Sequence, residues 1–180
     1  MIQDSDLDSF LRPDAGSDEP AATPKTKSPS MGSFSLDAIT PDIANAFKAA
    51  ADAYGVDENV LIGIAARESA FDPDVIAGRR KSSAGAIGLM QFMPNTAQEY
   101  GINPTDPIES IVGAAAYMRK SLDKFGGDYR KAIASYNAGQ NRKEFDAPDW
   151  DRKLPSETTK YLAFVEQFIG LDQPKADPRK

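Results

Sequence analysis

The sequence predicts a mostly α-helical domain with a small β element, and three observations support this prediction. Five or six segments combine a helix cap with apolar residues at helical spacing, whereas strand-like segments are few and short. The 180 residues suffice for one domain of ordinary size with terminal tails. We therefore expect a single helical domain over residues 35–170, a disordered tail or linker over 1–34, and a polar tail over 171–180.

The first predicted helix begins at Thr40 and Pro41, an N-cap followed by a proline at the first helical position. Apolar residues then recur at helical spacing up to Gly55. Nothing in this segment suggests chemistry, so we assign it to the core: Ile43, Phe47, Ala50, Ala51 and Tyr54.

The second predicted helix is capped by Asp57 and carries Glu68 near its C-terminal end. At about 100° per residue, Glu68 falls inside the apolar arc formed by Val60, Leu61, Ile64 and Ala65. A carboxyl group on such an arc loses hydration, which raises its pKa and suits a general acid. The alternative is a structural carboxylate that bends towards solvent or pairs with Arg67.

Asp72 and Pro73 end this helix, and a turn-rich segment follows. We expect a small hairpin around residues 78–83, within the segment 75–87. Its basic run, Arg79, Arg80 and Lys81, is interpreted either as a solvated loop or as a contact for an anionic polymer.

Glycines and small residues then precede Gln91, which has both a hydrogen-bond donor and an acceptor. Small residues let the backbone approach a neighbour closely, so this stretch predicts a cleft wall that faces Glu68.

Three further helices complete the predicted core. Asp106, Pro107 and Glu109 predict a capping box before a long apolar stripe, which ends at Gly126 and Gly127. Asp128 caps a helix that ends at Gly139, and Pro155 with Ser156 opens a last helix that runs to Gly170. A short helix is also predicted over 95–99. In the irregular segment 140–154, Trp150 is interpreted either as a glycan-stacking residue or as a core anchor.

Composition excludes several classes of function. The chain has no Cys and no His, which excludes Cys-His and Ser-His-Asp catalysis and the usual zinc sites, and we expect no cofactor and no metal. A formal net charge of −6 argues against nucleic acid as a partner. No apolar run approaches the roughly 20 residues that span a membrane.

Four motifs, in order along about 95 residues, resemble those of the soluble lytic transglycosylase family, the SLT domain of the lysozyme superfamily. They are Glu68-Ser69-x-Phe71, Gly85-Ala86-x-Gly88-Leu89-Met90-Gln91-x-Met93-Pro94-x-Thr96-Ala97, Ser135-Tyr136-Asn137-Ala138-Gly139 and Pro155-x-Glu157-Thr158-x-x-Tyr161. The resemblance implies a lysozyme-like α+β fold. It also implies a Ser shortly before Gly85, a place that Ser82 or Ser83 fills.

The resemblance further implies a reaction on peptidoglycan. One Glu, here Glu68, protonates the β-1,4 bond between N-acetylmuramic acid and N-acetylglucosamine and then activates the sugar's own 6-hydroxyl, which leaves a 1,6-anhydromuramoyl end. The implied glycan-binding residues are Ser69, Gln91, Met93, Tyr136, Asn137 and Glu157. On this basis no second carboxylate is required.

Two alternatives to a lytic transglycosylase remain at this stage. The first is a hydrolytic lysozyme on the same fold, which needs a second carboxylate. The candidates, of which Asp72 and Glu99 come first, are Asp72, Asp74, Glu99, Asp106 and Glu109. The second alternative is a non-catalytic glycan-binding component of a virion or a secretion apparatus.

The N-terminal segment bears on delivery and partners. Residues 1–6 do not resemble a signal peptide, so we expect a wall-acting protein that is virion-associated or delivered by another route, such as a secretion system or release as an endolysin. The apolar residues Leu7, Phe10 and Leu11 stand in an otherwise polar, Pro-containing tail. They are interpreted either as part of the disordered tail or as a short helix that docks on a partner, for which virion or secretion-apparatus proteins are the candidates.

Overall fold

The structure, a computed structural model, describes residues 38–170. This part of the chain contains eight α-helices and one isolated antiparallel β-bridge, between Ile87 and Phe92. The prediction of a mostly helical domain is thereby confirmed. The helices are α1 (Pro41–Tyr54), α2 (Glu58–Ser69), α3 (Pro73–Ile76), α4 (Pro94–Glu99), α5 (Pro107–Lys124), α6 (Tyr129–Ala138), α7 (Trp150–Lys153) and α8 (Ser156–Phe168), with a 3-10 helix at Lys143–Asp146.

The predicted caps set the helix starts. The side chains of Thr40, Asp57 and Asp128 accept hydrogen bonds from backbone N–H groups in the first turns of α1, α2 and α6. Each bond satisfies a donor that has no partner inside its helix. Gly55 ends α1 in a left-handed conformation, as its position in the sequence predicts.

Helix α2 lies at the centre of the fold. It packs against α1, α5 and α8, while α6 connects α5 to α8. Leu61, Ile64 and Ala65 on α2 have no exposed surface. Gly63 permits a close approach to α8, because a Cβ there would lie 3.3 Å from Val165 and Phe168. Glu68 is therefore carried by the most enclosed helix of the domain.

The predicted hairpin at residues 78–83 is wrong. Arg80 N–H donates to the carbonyl of Asp74, and Gly85 N–H donates to that of Ser82, so this segment is a series of turns. The single β-bridge lies later in the chain, between Ile87 and Phe92. Arg79 and Arg80 also form ion pairs with Asp74 and Asp72, so they stabilise the turns themselves.

The predicted capping box at α5 is half correct. Asp106 Oδ1 accepts from the N–H groups of Ile108 and Glu109. The Glu109 carboxylate, however, accepts from Asn103 N–H at 2.6 Å and thereby fixes the preceding loop. A carboxylate at this position has more than one backbone donor within reach, and the tertiary path of residues 100–105 selects between them.

The segment 140–154 contains more helix than its polar sequence predicts, namely the 3-10 helix and α7. Trp150 is 7% exposed, and its ring centroid lies 5.6 Å from that of Phe145. Trp150 is therefore a core anchor for this segment, and the alternative of a glycan-stacking surface residue is wrong.

The predicted tails, 1–34 and 171–180, lie outside the described residues, as do Leu7, Phe10 and Leu11. Among the helices of residues 38–170, none is both long enough and apolar enough to cross a membrane.

Candidate active site

Glu68 occupies the last turn of α2, where the side chain of Ser69 fixes the end of the helix. Ser69 Oγ donates to the carbonyl of Ala65 at 2.9 Å and accepts from Phe71 N–H at 3.3 Å. Ser69 is 3% exposed, so this hydroxyl acts inside the protein. Its bonds hold the turn that determines where Glu68 points.

The residues that follow Glu68 adopt an unusual backbone. Ala70 and Phe71 both have left-handed conformations, with φ of 51° and 56°. Such conformations cost a non-glycine residue on the order of 1–3 kcal/mol each and occur mainly where function requires them. Here the Phe71 ring is buried and compensates part of this cost.

The carboxyl group of Glu68 is buried and hydrogen-bonded. Its side chain is 9% exposed, and Tyr161 OH donates to Glu68 Oε1 at 2.8 Å. Burial raises the pKa of Glu68 to about 8, opposed by the Tyr161 hydrogen bond and the Arg67 charge and assisted by the charge of Glu157. At neutral pH the protonated form of Glu68 therefore predominates, as the apolar arc of α2 predicts.

The loop 87–92 is closed by the bridge between Ile87 and Phe92. It is linked to the surroundings of Glu68 through Tyr136, whose hydroxyl bonds to the Met90 carbonyl and on which the charge of Glu68 acts. Gln91 has a left-handed backbone conformation, with φ of 52°, and its Nε2 donates to the carbonyl of Gly88 at 2.9 Å. Met90 is held on both sides, since its N–H donates to Ser110 Oγ and its carbonyl accepts from Tyr136 OH. The loop is thus rigidly attached to α5 and α6.

Gly88 shows why this loop requires a glycine. Its φ is 82°, and a Cβ at this position would lie 1.7 Å from the carbonyl oxygen of Pro104. No side chain fits there without movement of the Pro104 backbone. The close approach predicted from the small residues is therefore an approach to the loop before α5.

The α6 residues Tyr136 and Asn137 are both buried. Tyr136 OH bonds to Met90, and its ring packs edge-on against Tyr117, with centroids 5.1 Å apart. Asn137 Oδ1 accepts from Thr158 Oγ1 at 2.7 Å, which links α6 to α8. These bonds fix the orientation of the Asn137 amide.

The remaining predicted site residues lie at the edge. Met93 is half-buried and directly precedes α4. Glu157 is exposed at the start of α8, close enough for its charge to raise the pKa of Glu68. Ser82 Oγ accepts from Ala86 N–H at 2.9 Å, which places this serine, rather than the exposed Ser83, before the loop 87–92.

The five candidates for a second carboxylate each have another role. Asp72 caps α3 and pairs with Arg80, Asp74 pairs with Arg79, and Asp106 caps α5. Glu99 lies 3.5 Å from Lys120 Nζ, and Glu109 binds Asn103 N–H.

The sequence placed Tyr161 in the last motif, but no role was predicted for its hydroxyl. Tyr161 lies 93 positions after Glu68, so no local pattern joins the two. The available signal was the last motif, in which Tyr161 and Thr158 accompany Glu157. Two of its members, Thr158 and Tyr161, bond to residues that were singled out for function.

Within residues 38–170, no group of three or more acidic side chains is arranged to hold a metal ion. The described site offers the chemistry of a buried, protonated carboxyl group.

Similar proteins were found by three comparisons. The chain is 34% identical over 131 residues to a transglycosylase of Enterobacteria phage PRD1, a match that covers 72% of this chain and 45% of that protein. It is 36% identical over 112 residues to the peptidoglycan transglycosylase gp16 of Escherichia phage T7, covering 58% of this chain and 8% of that protein. The chain thus spans less than half the length of these relatives.

A cellular relative and a solved structure extend the comparison. The chain is 32% identical over 122 residues to membrane-bound lytic murein transglycosylase D of Escherichia coli, covering 58% of this chain and 25% of that protein. The crystal structure of an inactive Glu-to-Gln mutant of the lytic transglycosylase Slt from Pseudomonas aeruginosa matches 78% of this chain and 26% of that one, with a TM-score of 0.59 and 25% identity.

The match to a family model supplies the classification. The model described as the transglycosylase SLT domain matches residues 45–153, which include Glu68, the loop 87–92 and α6. Since this match covers more than half of the sequence, the chain belongs to the transglycosylase SLT domain family.

Proposed function

We propose that this protein is a lytic transglycosylase that cleaves the β-1,4 bond between N-acetylmuramic acid and N-acetylglucosamine in peptidoglycan and forms 1,6-anhydromuramoyl ends. The observation that carries the proposal is the buried carboxyl group of Glu68, with a pKa raised to about 8 and a hydrogen bond from Tyr161. A general acid is most effective when its pKa lies near the working pH.

In the first step Glu68 acts as an acid. Tyr161 OH occupies Oε1, so the transferable proton is carried on Oε2. This proton moves to the glycosidic oxygen as the bond between that oxygen and C1 breaks, and the N-acetylglucosamine chain leaves with a new hydroxyl group. The N-acetyl group of the muramic acid stabilises C1.

In the second step Glu68 acts as a base. The carboxylate accepts the proton of the muramic acid 6-hydroxyl while the oxygen of that hydroxyl bonds to C1. This new bond closes the anhydro ring without water. The hydrogen bond from Tyr161 favours the charged form of Glu68, and a bond to a charged group contributes about 1.5–3 kcal/mol. One carboxyl group thus ends the cycle in the protonation state in which it began.

The cleft residues position the glycan in this proposal. Asn137 Oδ1 is bonded to Thr158, so its Nδ2 donors are the groups offered to the N-acetyl oxygen. Gln91 and Met93 line the wall, and Glu157 is a polar contact at its edge. Ser69 and Tyr136 act by holding the Glu68 turn and the loop 87–92, because their hydroxyls are bonded to backbone carbonyls.

The relatives support the proposal. The proteins from phage T7 and E. coli are named for transglycosylase action on peptidoglycan or murein, and the inactive form of the Pseudomonas relative is a Glu-to-Gln mutant. Two relatives are phage proteins, which supports association with a phage over a secretion apparatus. Peptidoglycan glycan strands are the proposed partner, and the bacterial cell wall is the proposed place of action.

The hydrolytic alternative gains a candidate that was not among the five carboxylates considered from the sequence. Glu157 is the carboxylate whose charge acts on Glu68, and it is exposed to solvent, where a water molecule can reach it. A lysozyme mechanism on this fold would use Glu157 as its second carboxylate.

The test is to digest purified peptidoglycan with the wild-type chain, with Glu68→Gln and with Asp72→Asn, and to weigh the released muropeptides. We expect anhydro products, one water lighter than the reducing forms, from the wild type and from Asp72→Asn, and none from Glu68→Gln. Reducing ends would establish the hydrolytic alternative. Binding to the wall without release by any of the three folded proteins would establish the glycan-binding alternative.

A further inference from the structure

A groove of about 240 Å³ lies between α1 and α5. Helix α5 contributes Ile108 and Val112, and α1 contributes Tyr54 together with four alanines on one face, namely Ala46, Ala49, Ala50 and Ala53. Alanine side chains are short, so the α1 wall leaves space between the helices. The volume is below the roughly 300–1,000 Å³ of small-molecule pockets, which favours a few protein side chains as the occupant.

Tyr54 adds an independent observation. Its hydroxyl oxygen is buried and has no hydrogen-bond partner within residues 38–170. Burial also raises the pKa of this phenol. An unpaired buried hydroxyl is costly, so this wall of the groove is not fully satisfied within residues 38–170.

We infer that this groove is the docking site of the chain's own N-terminal segment, with Leu7, Phe10 and Leu11 as the apolar anchors. These residues have the spacing i, i+3 and i+4, which places them on one face of a helical turn. An amphipathic turn with this spacing is the usual occupant of an apolar groove between helices.

The length and position of the segment favour this occupant over a second molecule. The described chain begins at Ala38, immediately before α1, which itself lines the groove. About 28 residues separate Phe10 from Ala38, and a flexible chain of that length spans about 30 Å. Helix α1, with 14 residues, is about 21 Å long. Tethering gives an effective concentration in the millimolar range, above that of a second copy in solution.

This inference does not depend on the proposed function. None of the groove residues belongs to the candidate active site, and the expected signal is structural. A loss of catalytic activity in Glu68→Gln therefore leaves the docking test unchanged, and the two proposals can fail separately.

The test uses the full chain, which has no native Cys and so accepts a single spin label at Ser9→Cys. In isotope-labelled protein, we expect the spin label to broaden the amide signals of Ala49, Ala53 and Val112, so that they lose more than half of their intensity. The signal of Ala163, an exposed residue on α8, should lose little. Replacing two of the three anchors, by Phe10→Ser and Leu11→Ser, should reduce the loss at the groove to the level of Ala163.

A second variant changes the groove instead of the N-terminal segment. Ala49 is exposed, so Ala49→Arg is compatible with the fold and blocks the groove. We expect this variant to abolish the broadening at Ala53 and Val112. Equal broadening at the groove and at Ala163, or broadening that persists in Ala49→Arg, would overturn the inference. So would broadening that passes between a spin-labelled chain and a separate isotope-labelled chain, because the occupant would then be a second copy.

Discussion

Glu68 and Asp72 are carboxylates four positions apart, and the structure gives them opposite environments. Glu68 is buried, accepts one hydrogen bond from Tyr161 and has a pKa raised to about 8. Asp72 lies at a half-exposed turn, where burial is the largest single influence on its pKa and raises it. There the N–H groups of Asp74 and Val75 and the Arg80 guanidinium outweigh burial and lower it.

The difference shows that the surroundings, not the residue type, determine the role of a carboxyl group. A neutral carboxyl group that can give and take a proton destabilises the fold when it ionises, whereas a paired carboxylate stabilises a turn and has no proton to give at neutral pH. The same contrast extends to the two neighbouring segments, the buried loop 87–92 and the exposed turns 72–85.

The largest expected effect is the difference in cleavage rate between the variants in which Glu68 or Asp72 is neutralised. Glu68→Gln should lower the rate of peptidoglycan cleavage by about 10²–10⁴-fold, because Gln neither donates nor accepts the transferred proton. Asp72→Asn should leave the rate close to that of the wild type. The measurement is release of muropeptides per unit time at pH 7. A similar loss in both variants would break the comparison.

Next in size is the loss of stability on adding a methyl group to the buried loop 87–92 or to the exposed turns 72–85. Gly88→Ala should destabilise the protein by about 2–5 kcal/mol, since its Cβ meets the Pro104 carbonyl and φ is positive. Gly85 also has a positive φ but no heavy atom within 4 Å of a Cβ, so Gly85→Ala should cost about 1–2 kcal/mol. Urea unfolding followed by circular dichroism measures both. Equal losses would show that the approach to Pro104 is not constrained.

The free energy of unfolding should fall as pH rises, because the raised pKa of Glu68 dominates its pH dependence. Its folded pKa of about 8 exceeds the ordinary value of 4.5 for a glutamate, so the folded state binds more protons between these values, and stability falls as pH rises through this window. At pH 7 the loss is at most on the order of 3 kcal/mol. The lowered pKa of Asp72 has the opposite sign, because its contribution is lost as pH falls.

This prediction is checked by measuring the free energy of unfolding at pH 5 and pH 8. The wild type should be less stable at pH 8 than at pH 5. Glu68→Gln should remove most of this difference, and at pH 8 it should be more stable than the wild type. A wild type that gains stability from pH 5 to pH 8 would mean that Glu68 is already ionised at pH 5.

The smallest expected effect comes from removing the partner of each carboxylate. Tyr161→Phe should lower the cleavage rate by about 10–100-fold, because the base form of Glu68 loses its hydrogen bond. It should also shift the alkaline limit of the pH–rate profile upwards, since the Tyr161 bond lowers the pKa of Glu68. Arg80→Gln removes an exposed ion pair and should cost at most about 1 kcal/mol of stability, with no change in rate. An unchanged alkaline limit in Tyr161→Phe would show that its hydroxyl does not act on Glu68.

Much of the fold follows from short-range signals. Thr40, Asp57 and Asp128 cap the helices that they were predicted to cap, because a cap bonds to N–H groups only two or three residues away. The arc of α2 likewise predicted the burial of Glu68 and the direction of its pKa shift, since both depend on the face of one helix.

The sequence by itself thus determined the helices, the buried acid and the family motifs. Only the tertiary structure decided that Tyr161 bonds to Glu68, that Gly88 lies against Pro104, and that the β-bridge joins Ile87 to Phe92 instead of forming a hairpin at 78–83. The physical reason is distance along the chain. A cap or an apolar arc is fixed by neighbours within one or two turns, whereas these contacts depend on how α2, α5, α6 and α8 pack together.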